Sequence, residues 1–206
     1  IYLFTTELAA INAYWFDVLG ENRPAEFPQT TLGLLWGGKA DFATWFSAKP
    51  ENIYGINWMP FHGGSLYLGL YPEYVQRNYA SLAAKTGGPR WDDWADLAWM
   101  YRALDDAPAA MADFAAGRAS LKPEAGHALA HTYHWIAALS DLGQVDRGVT
   151  ADTPHYAVFR QGRRRTYVVY NVTSHPLPVR FSDGFTISNA APGFSSLSNM
   201  QREIPP

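Results

Sequence analysis

Two stretches between Leu34 and Tyr71, LLWGGKADFATWFS and IYGINWMPFHGGSLYLG, set glycine pairs beside indole, amide, carboxylate and imidazole side chains. Glycine lets the backbone turn sharply and lets a ligand approach it closely. Long non-periodic loops on a helical scaffold are where binding groups concentrate. Rings with one apolar face and polar neighbours are the walls of carbohydrate-binding clefts, where stacking positions a sugar and a few polar groups fix its hydroxyls. On this reading Trp36 is a stacking platform, Asp41 orients a hydroxyl, and Asn57, Trp58 and His62 contact substrate. Each also has a packing alternative. Trp36 before its two glycines serves equally as a hydrophobic plug, and Asp41 as the N-cap of a short helix through Phe46. Asn57, beside Trp58 in a turn before Pro60, can satisfy loop backbone, and His62 can be structural. Trp45 reads as core, while Tyr67 and Tyr71 fit either role.

Other chemistry is sparse. His127, His131 and His134 fall at spacings that put three imidazoles on one helix face, but no HExxH arrangement or distant ligand accompanies them. Packing or substrate contact is their reading, and no metal is expected. Gly37-Gly38-Lys39 lacks the upstream glycine of a phosphate loop, and no serine elbow or dinucleotide fingerprint occurs, so no cofactor is expected either. Glu7 and Asp17 sit on one predicted helix and Asp92, Asp93 and Asp96 crowd another, yet nothing marks two of them as an acid–base pair. Asn171-Val172-Thr173 matches a glycosylation sequon, a short pattern that recurs by chance.

The elements that must position these groups are mainly helical. Leu8, Ile11, Trp15 and Val18 form one apolar stripe over Thr6 to Val18, stopped at Gly20. An apolar stretch runs from Leu32 to Trp36. Pro72 opens a helix to Lys85, and Gly87-Gly88-Pro89 breaks the chain. Trp91 to Leu104, Pro108 to Ala116 and Glu124 to Leu142 follow as helices, the last stopped at Gly143. Beyond it the pattern turns to strands: His155 to Arg160, Thr166 to Asn171, Leu177 to Phe181 and Phe185 to Ser188, with turns at Gln161-Gly162 and Asp183-Gly184. The remaining residues read as a tail. The expected domains are therefore a helical 1–145, a bundle or α/α toroid, and a small antiparallel β segment and tail over 146–206.

Composition bounds the partners. The chain has 206 residues, 48% of them hydrophobic, which fits a globular fold and excludes disorder. A net charge of −3 with scattered basic residues leaves no footprint for nucleic acid. The one triplet, Arg163 to Arg165, reads as a solvated hairpin turn. Without cysteine there is no disulfide framework, thiolate site or thiol nucleophile. No apolar run approaches the roughly 20 residues that span a bilayer, so no membrane partner is expected. The chain opens at Ile1 in an apolar run, which reads as a cut inside a longer protein. Eight tryptophans exceed what a core of this size normally uses.

The runs YLFTTELAAINAYWFDV, WGGKADFATWFS, IYGINWMPFHGGSLYLGLYPEYV, AHTYHWIAALSDLGQVD and YVVYN…FSDG together resemble glycoside hydrolase family 81, the endo-acting β-1,3-glucanases of bacteria and fungi. The resemblance runs in order from about residue 2 to residue 185. It implies that the chain matches the second half of an (α/α)6 barrel followed by the family's closing β segment. It also implies a secreted enzyme, a β-1,3-glucan substrate and an inverting mechanism, with acid and base roughly 6.5–9.5 Å apart. The family's acid and base motifs match no stretch of this sequence and lie upstream of the helix beginning near Tyr2, in the missing N-terminal part. No catalytic residue is therefore carried over, and Glu7, in TTE, aligns with a later glutamate. The residues Trp36, Asp41, Asn57, Trp58 and His62 are then cleft wall. The competing expectations are a non-catalytic β-glucan-binding module and a helical structural protein whose tryptophans are all core.

Overall fold

The computed structural model of the chain describes residues 49–58, 72–88, 93–123 and 128–200, with positions 61, 66, 69 and 91 between them. The predicted helix from Thr6 to Val18, the stretch Leu32 to Trp36 and the short helix from Asp41 to Phe46 lie outside the described residues. Contacts divide the chain into two compact units, 1–140 and 141–206.

In the first unit α1 spans Pro50–Trp58, α2 Pro72–Thr86, α3 Ala95–Gly117 and α4 Leu129–Leu142, the last turn of α4 crossing the division. The helix α1 corrects the expectation of a turn at Asn57 and Trp58. Pro50 opens it with a preset φ, and Glu51 adds a negative charge to the first turn, where the helix dipole favours one. Gly55 makes that helix a poor former in isolation, but a Cβ there would stand 2.4 Å from Cε3 of Trp94. The absent side chain is what lets α1 close against Trp94 and Leu97.

Pro72 and Glu73 begin α2 and Lys85 lies in its last turn. Gly88 N–H donates to Ala83 O at 2.9 Å while Gly87 takes φ 78°, a Schellman-type ending. Trp91 does not start the next helix as its periodicity suggests. Its indole N–H donates instead to Thr86 Oγ1 at 2.8 Å, fastening the chain to the end of α2.

The helix α3 merges the two helices expected around Pro108. Asp106 breaks the helical dihedrals at φ −129° and ψ 76°, and its Oδ1 accepts from Ala109 N–H at 3.0 Å. Asp106 thus caps the second segment and Pro108 falls in that segment's first turn, where a missing N–H costs nothing. From Ala95 to Leu104 α3 is buried on nearly every side, with Leu97, Met100 and Tyr101 at 1% exposure or less, the pattern of a central helix. It packs against α1 and α2, and Trp135 of α4 donates to Met100 O at 2.9 Å. The predicted start of α4 at Glu124 is corrected to Leu129, Ala128 being non-helical; residues 124–127 lie outside the described residues.

The second unit is antiparallel β. Strands β1 (Gln144–Val145), β2 (Tyr156–Gln161), β3 (Arg164–Asn171) and β6 (Gly193–Met200) form one sheet in the order β1-β2-β3-β6, and β4 (Leu177–Arg180) pairs with β5 (Thr186–Ala190). The expected tail is therefore a full strand, β6, in register with all of β3. Gln161 pairs with Arg164, leaving Gly162-Arg163 as a two-residue loop with φ 57° at the glycine alone, the pattern of a type II′ turn. Val158, Tyr167, Val169, Val179, Phe181 and Ile187 make the core. Along β3 the inward positions alternate with outward ones. Arg165 corrects the reading of its triplet as a solvated turn. It donates to Asp146 at 2.8 Å and to Asp183 at 3.0 Å with only 15% of its side chain exposed.

Candidate functional site

Of the five residues predicted to touch a ligand, Trp36, Asp41 and His62 lie outside the described residues. Asn57 and Trp58 are the last two residues of α1. Among the described residues, Trp58 belongs to a buried layer formed where α1, α2 and α3 meet.

Trp58 is 1% exposed. Its ring lies flat on Tyr101, centroids 4.1 Å apart and planes 4° from parallel, with Tyr54 edge-on at 5.6 Å. A ring held this way has a packing role, and contact with a sugar would require it to leave the stack. Asn78, fully buried on α2, donates through Nδ2 to the Tyr101 hydroxyl at 2.7 Å. Tyr54 and Ser81 share a hydrogen bond at 2.7 Å. Burial pushes the Tyr54 phenol above its ordinary range, partly offset by the Ser81 bond. Two polar atoms of this layer, Trp58 Nε1 and Asn78 Oδ1, have no protein partner.

This layer escaped sequence reasoning. Its signal was available in α2: Val75, Asn78 and Leu82 share one stripe, and all three are at most 1% exposed. An amide on an apolar stripe marks a buried hydrogen bond. Asp96, also fully buried, stands in the first turn of α3, where free backbone N–H groups favour a carboxylate. It is the one fully buried carboxylate among the described residues, so they contain no buried acid–base pair.

A second polar cluster lies between α2 and α3. Arg102 reaches Asp113 at 2.5 Å and sits over the Tyr79 ring, 4.9 Å from its centroid, while the Tyr79 hydroxyl donates to Asp113 at 3.3 Å. Burial and the Asp113 charge push the Tyr79 phenol up to about 12. Gln76 donates to Asp105 at 3.1 Å beside it. Gln76, Tyr79, Arg102, Asp105 and Asp106 line a depression here together with Val75. His131 is half-buried and His134 exposed on α4, while His127 lies outside the described residues. Among the described residues no three His, Asp or Glu side chains gather as metal ligands.

The chain is similar to known proteins over nearly its full length. It is 45% identical over 188 residues to a glucan endo-1,3-β-D-glucosidase of Thermobifida fusca, covering 91% of this chain and 25% of that protein. It is 42% identical over 184 residues to a glucan endo-1,3-β-D-glucosidase of Acetivibrio thermocellus, covering 89% and 23%. The chain thus spans about a quarter of the length of these relatives. A solved structure of a glycoside hydrolase family 81 protein from Clostridium thermocellum, a glutamate-to-alanine mutant, superposes with a TM-score of 0.75 at 35% identity. That match covers 96% of this chain and 27% of the other. Four described helices followed by antiparallel sheets thus match the C-terminal region of such a protein. The family model for the glycosyl hydrolase family 81 C-terminal domain matches residues 3–135, and the chain belongs to this family.

Proposed function

We propose that the chain is the C-terminal part of a secreted, endo-acting β-1,3-glucan hydrolase and forms part of its cleft wall. The observation that carries this reading is the 45% identity, over 91% of the chain, to a glucan endo-1,3-β-D-glucosidase. The helical unit is the second half of an (α/α)6 barrel, and the β unit closes the chain. Hydrolysis proceeds with inversion. An acid protonates the leaving oxygen, and a base activates water on the opposite face of the sugar. Both carboxylates belong to sequence upstream of Ile1, because the family's acid and base motifs match no stretch of this chain.

Within the cleft Trp36 stacks on a glucose face, and Asp41, Asn57 and His62 bond hydroxyls. Trp58 anchors the end of α1 through its stack on Tyr101. The test is laminarin hydrolysis by the enzyme that carries this chain. Trp36→Ala and Asn57→Ala each lower kcat/KM about ten-fold, the loss of one ligand contact of roughly 1.4 kcal/mol. Turnover by the 206-residue chain alone, abolished by mutating one of its own carboxylates, overturns the assignment of catalysis upstream. Laminarin binding without hydrolysis in the complete enzyme would make the protein a glucan-binding module.

A further inference from the structure

The sequon Asn171-Val172-Thr173 is not a surface loop in the folded chain. Asn171 closes β3 and is 3% exposed. Its amide nitrogen donates twice, to His175 O at 2.9 Å and to Ala190 O at 2.8 Å. Its carbonyl oxygen accepts twice, from Thr173 N–H at 2.9 Å and from the Thr173 hydroxyl at 2.7 Å. The Thr173 hydroxyl oxygen also lies 2.8 Å from His175 O. One side chain thus ties the end of β3 to the 173–175 turn and to the last residue of β5. Both hydrogens of the amide are spent on backbone carbonyls.

N-glycosylation needs the same nitrogen. Transfer from a lipid-linked oligosaccharide forms a bond from that nitrogen to the anomeric carbon and releases the lipid pyrophosphate and one amide proton. A single N–H then remains for two carbonyls, one of them in a buried bond, and the sugar must leave from a buried atom. We infer that Asn171 is a modification site open only in the unfolded chain, so that glycan addition there and folding of the β unit exclude each other. The two residues that make the sequon recognisable, Asn171 and Thr173, are the two that build the clamp. The neighbour between them, Val172, is 62% exposed.

An acceptor assay with a eukaryotic oligosaccharyltransferase and its lipid-linked donor tests this. A synthetic peptide spanning residues 166–179 is glycosylated, whereas the folded chain is modified at least a hundred-fold more slowly. Chain modified while unfolded and then returned to native conditions lacks the slow hydrogen exchange of β3 and β6 amides seen in unmodified chain. Val172→Pro, which destroys the acceptor pattern without touching a clamp atom, keeps that protection and takes no glycan. Asn171→Asp, which keeps the acceptor oxygens and loses both donors, loses protection with no glycan present. Modification of the folded chain at the peptide's rate, or full protection in glycosylated chain, overturns the inference.

Discussion

Asp183 accepts from Tyr167 at 2.6 Å and from Arg165 at 3.0 Å on the same oxygen, and this local geometry decides how the β unit answers to pH. Burial, the Asp183 hydrogen bond and the Asp183 charge push the Tyr167 phenol from 10.0 to about 12. The Arg165 guanidinium is held above its ordinary value. Desolvation pulls it down, and the Asp146 bond and the surrounding charges outweigh that. A raised folded-state value means that the phenol keeps its proton in the native chain while the unfolded chain gives it up. The resulting stability is complete below pH about 10 and is lost as pH rises to about 12. Alkaline titration of the chain, followed by tyrosinate absorbance and sheet circular dichroism, should show ionisation and sheet loss together in that window. Tyr167→Phe removes the linkage, and sheet loss then no longer tracks ionisation there. Gly143 is a second residue whose identity is fixed locally. It takes φ 86°, and a Cβ would stand 2.2 Å from Arg160 O. Gly143→Ala should cost at least about 2 kcal/mol from left-handed strain alone, read as accelerated exchange of the β1 and β2 amides.

At the scale of elements, the structure follows the sequence where local signals and tertiary context agree. Pro72 and Gly87 bracket α2 because a fixed φ favours a first turn and a positive φ favours an ending. The hairpin of β2 and β3 follows from alternation around a glycine turn. Context overrode the signal elsewhere. Trp91 and Trp94 share the spacing of an α3 stripe, but Trp94 takes φ 57° and stops the helix from extending back. The helix α1 contains a glycine that periodicity counts against, and its reason is the Trp94 ring, some forty residues on. The strand β6 reads GFSSLSNM, whose serines look like a tail until pairing with β3 supplies the ladder. Of the candidate site, Asn57 and Trp58 were legible as neighbours. The layer behind them was not, because no pattern within α1 announces partners on α2 and α3. The kink in α3 gives this scale its prediction. Asp106→Ala removes the cap on Ala109 N–H and should cost about 1 kcal/mol, seen as faster exchange confined to residues 107–112. Pro108→Ala should leave the kink in place, since Asp106 rather than the proline breaks the helical dihedrals.

For the whole molecule, the decisive quantity is how much of its relatives' length the chain spans. The chain covers 25% of one curated relative and 23% of another. On the proposed architecture, each helix of a complete (α/α)6 barrel is flanked on both sides. Half a barrel has two open seams, each baring the apolar stripe meant for a missing neighbour. Exposed apolar patches beyond a few hundred Å² drive association in water. The 206-residue chain expressed alone should therefore elute as a dimer or larger species, bind a hydrophobic dye, and melt over a broad range. On the proposed function, supplying the upstream part of the protein in trans should restore a discrete species, abolish dye binding and recover laminarin hydrolysis, because that part would close the seams and bring the two carboxylates. A monodisperse monomer with a sharp cooperative transition and no dye binding would mean that the helical unit closes on itself, and the half-barrel assignment would fall with it.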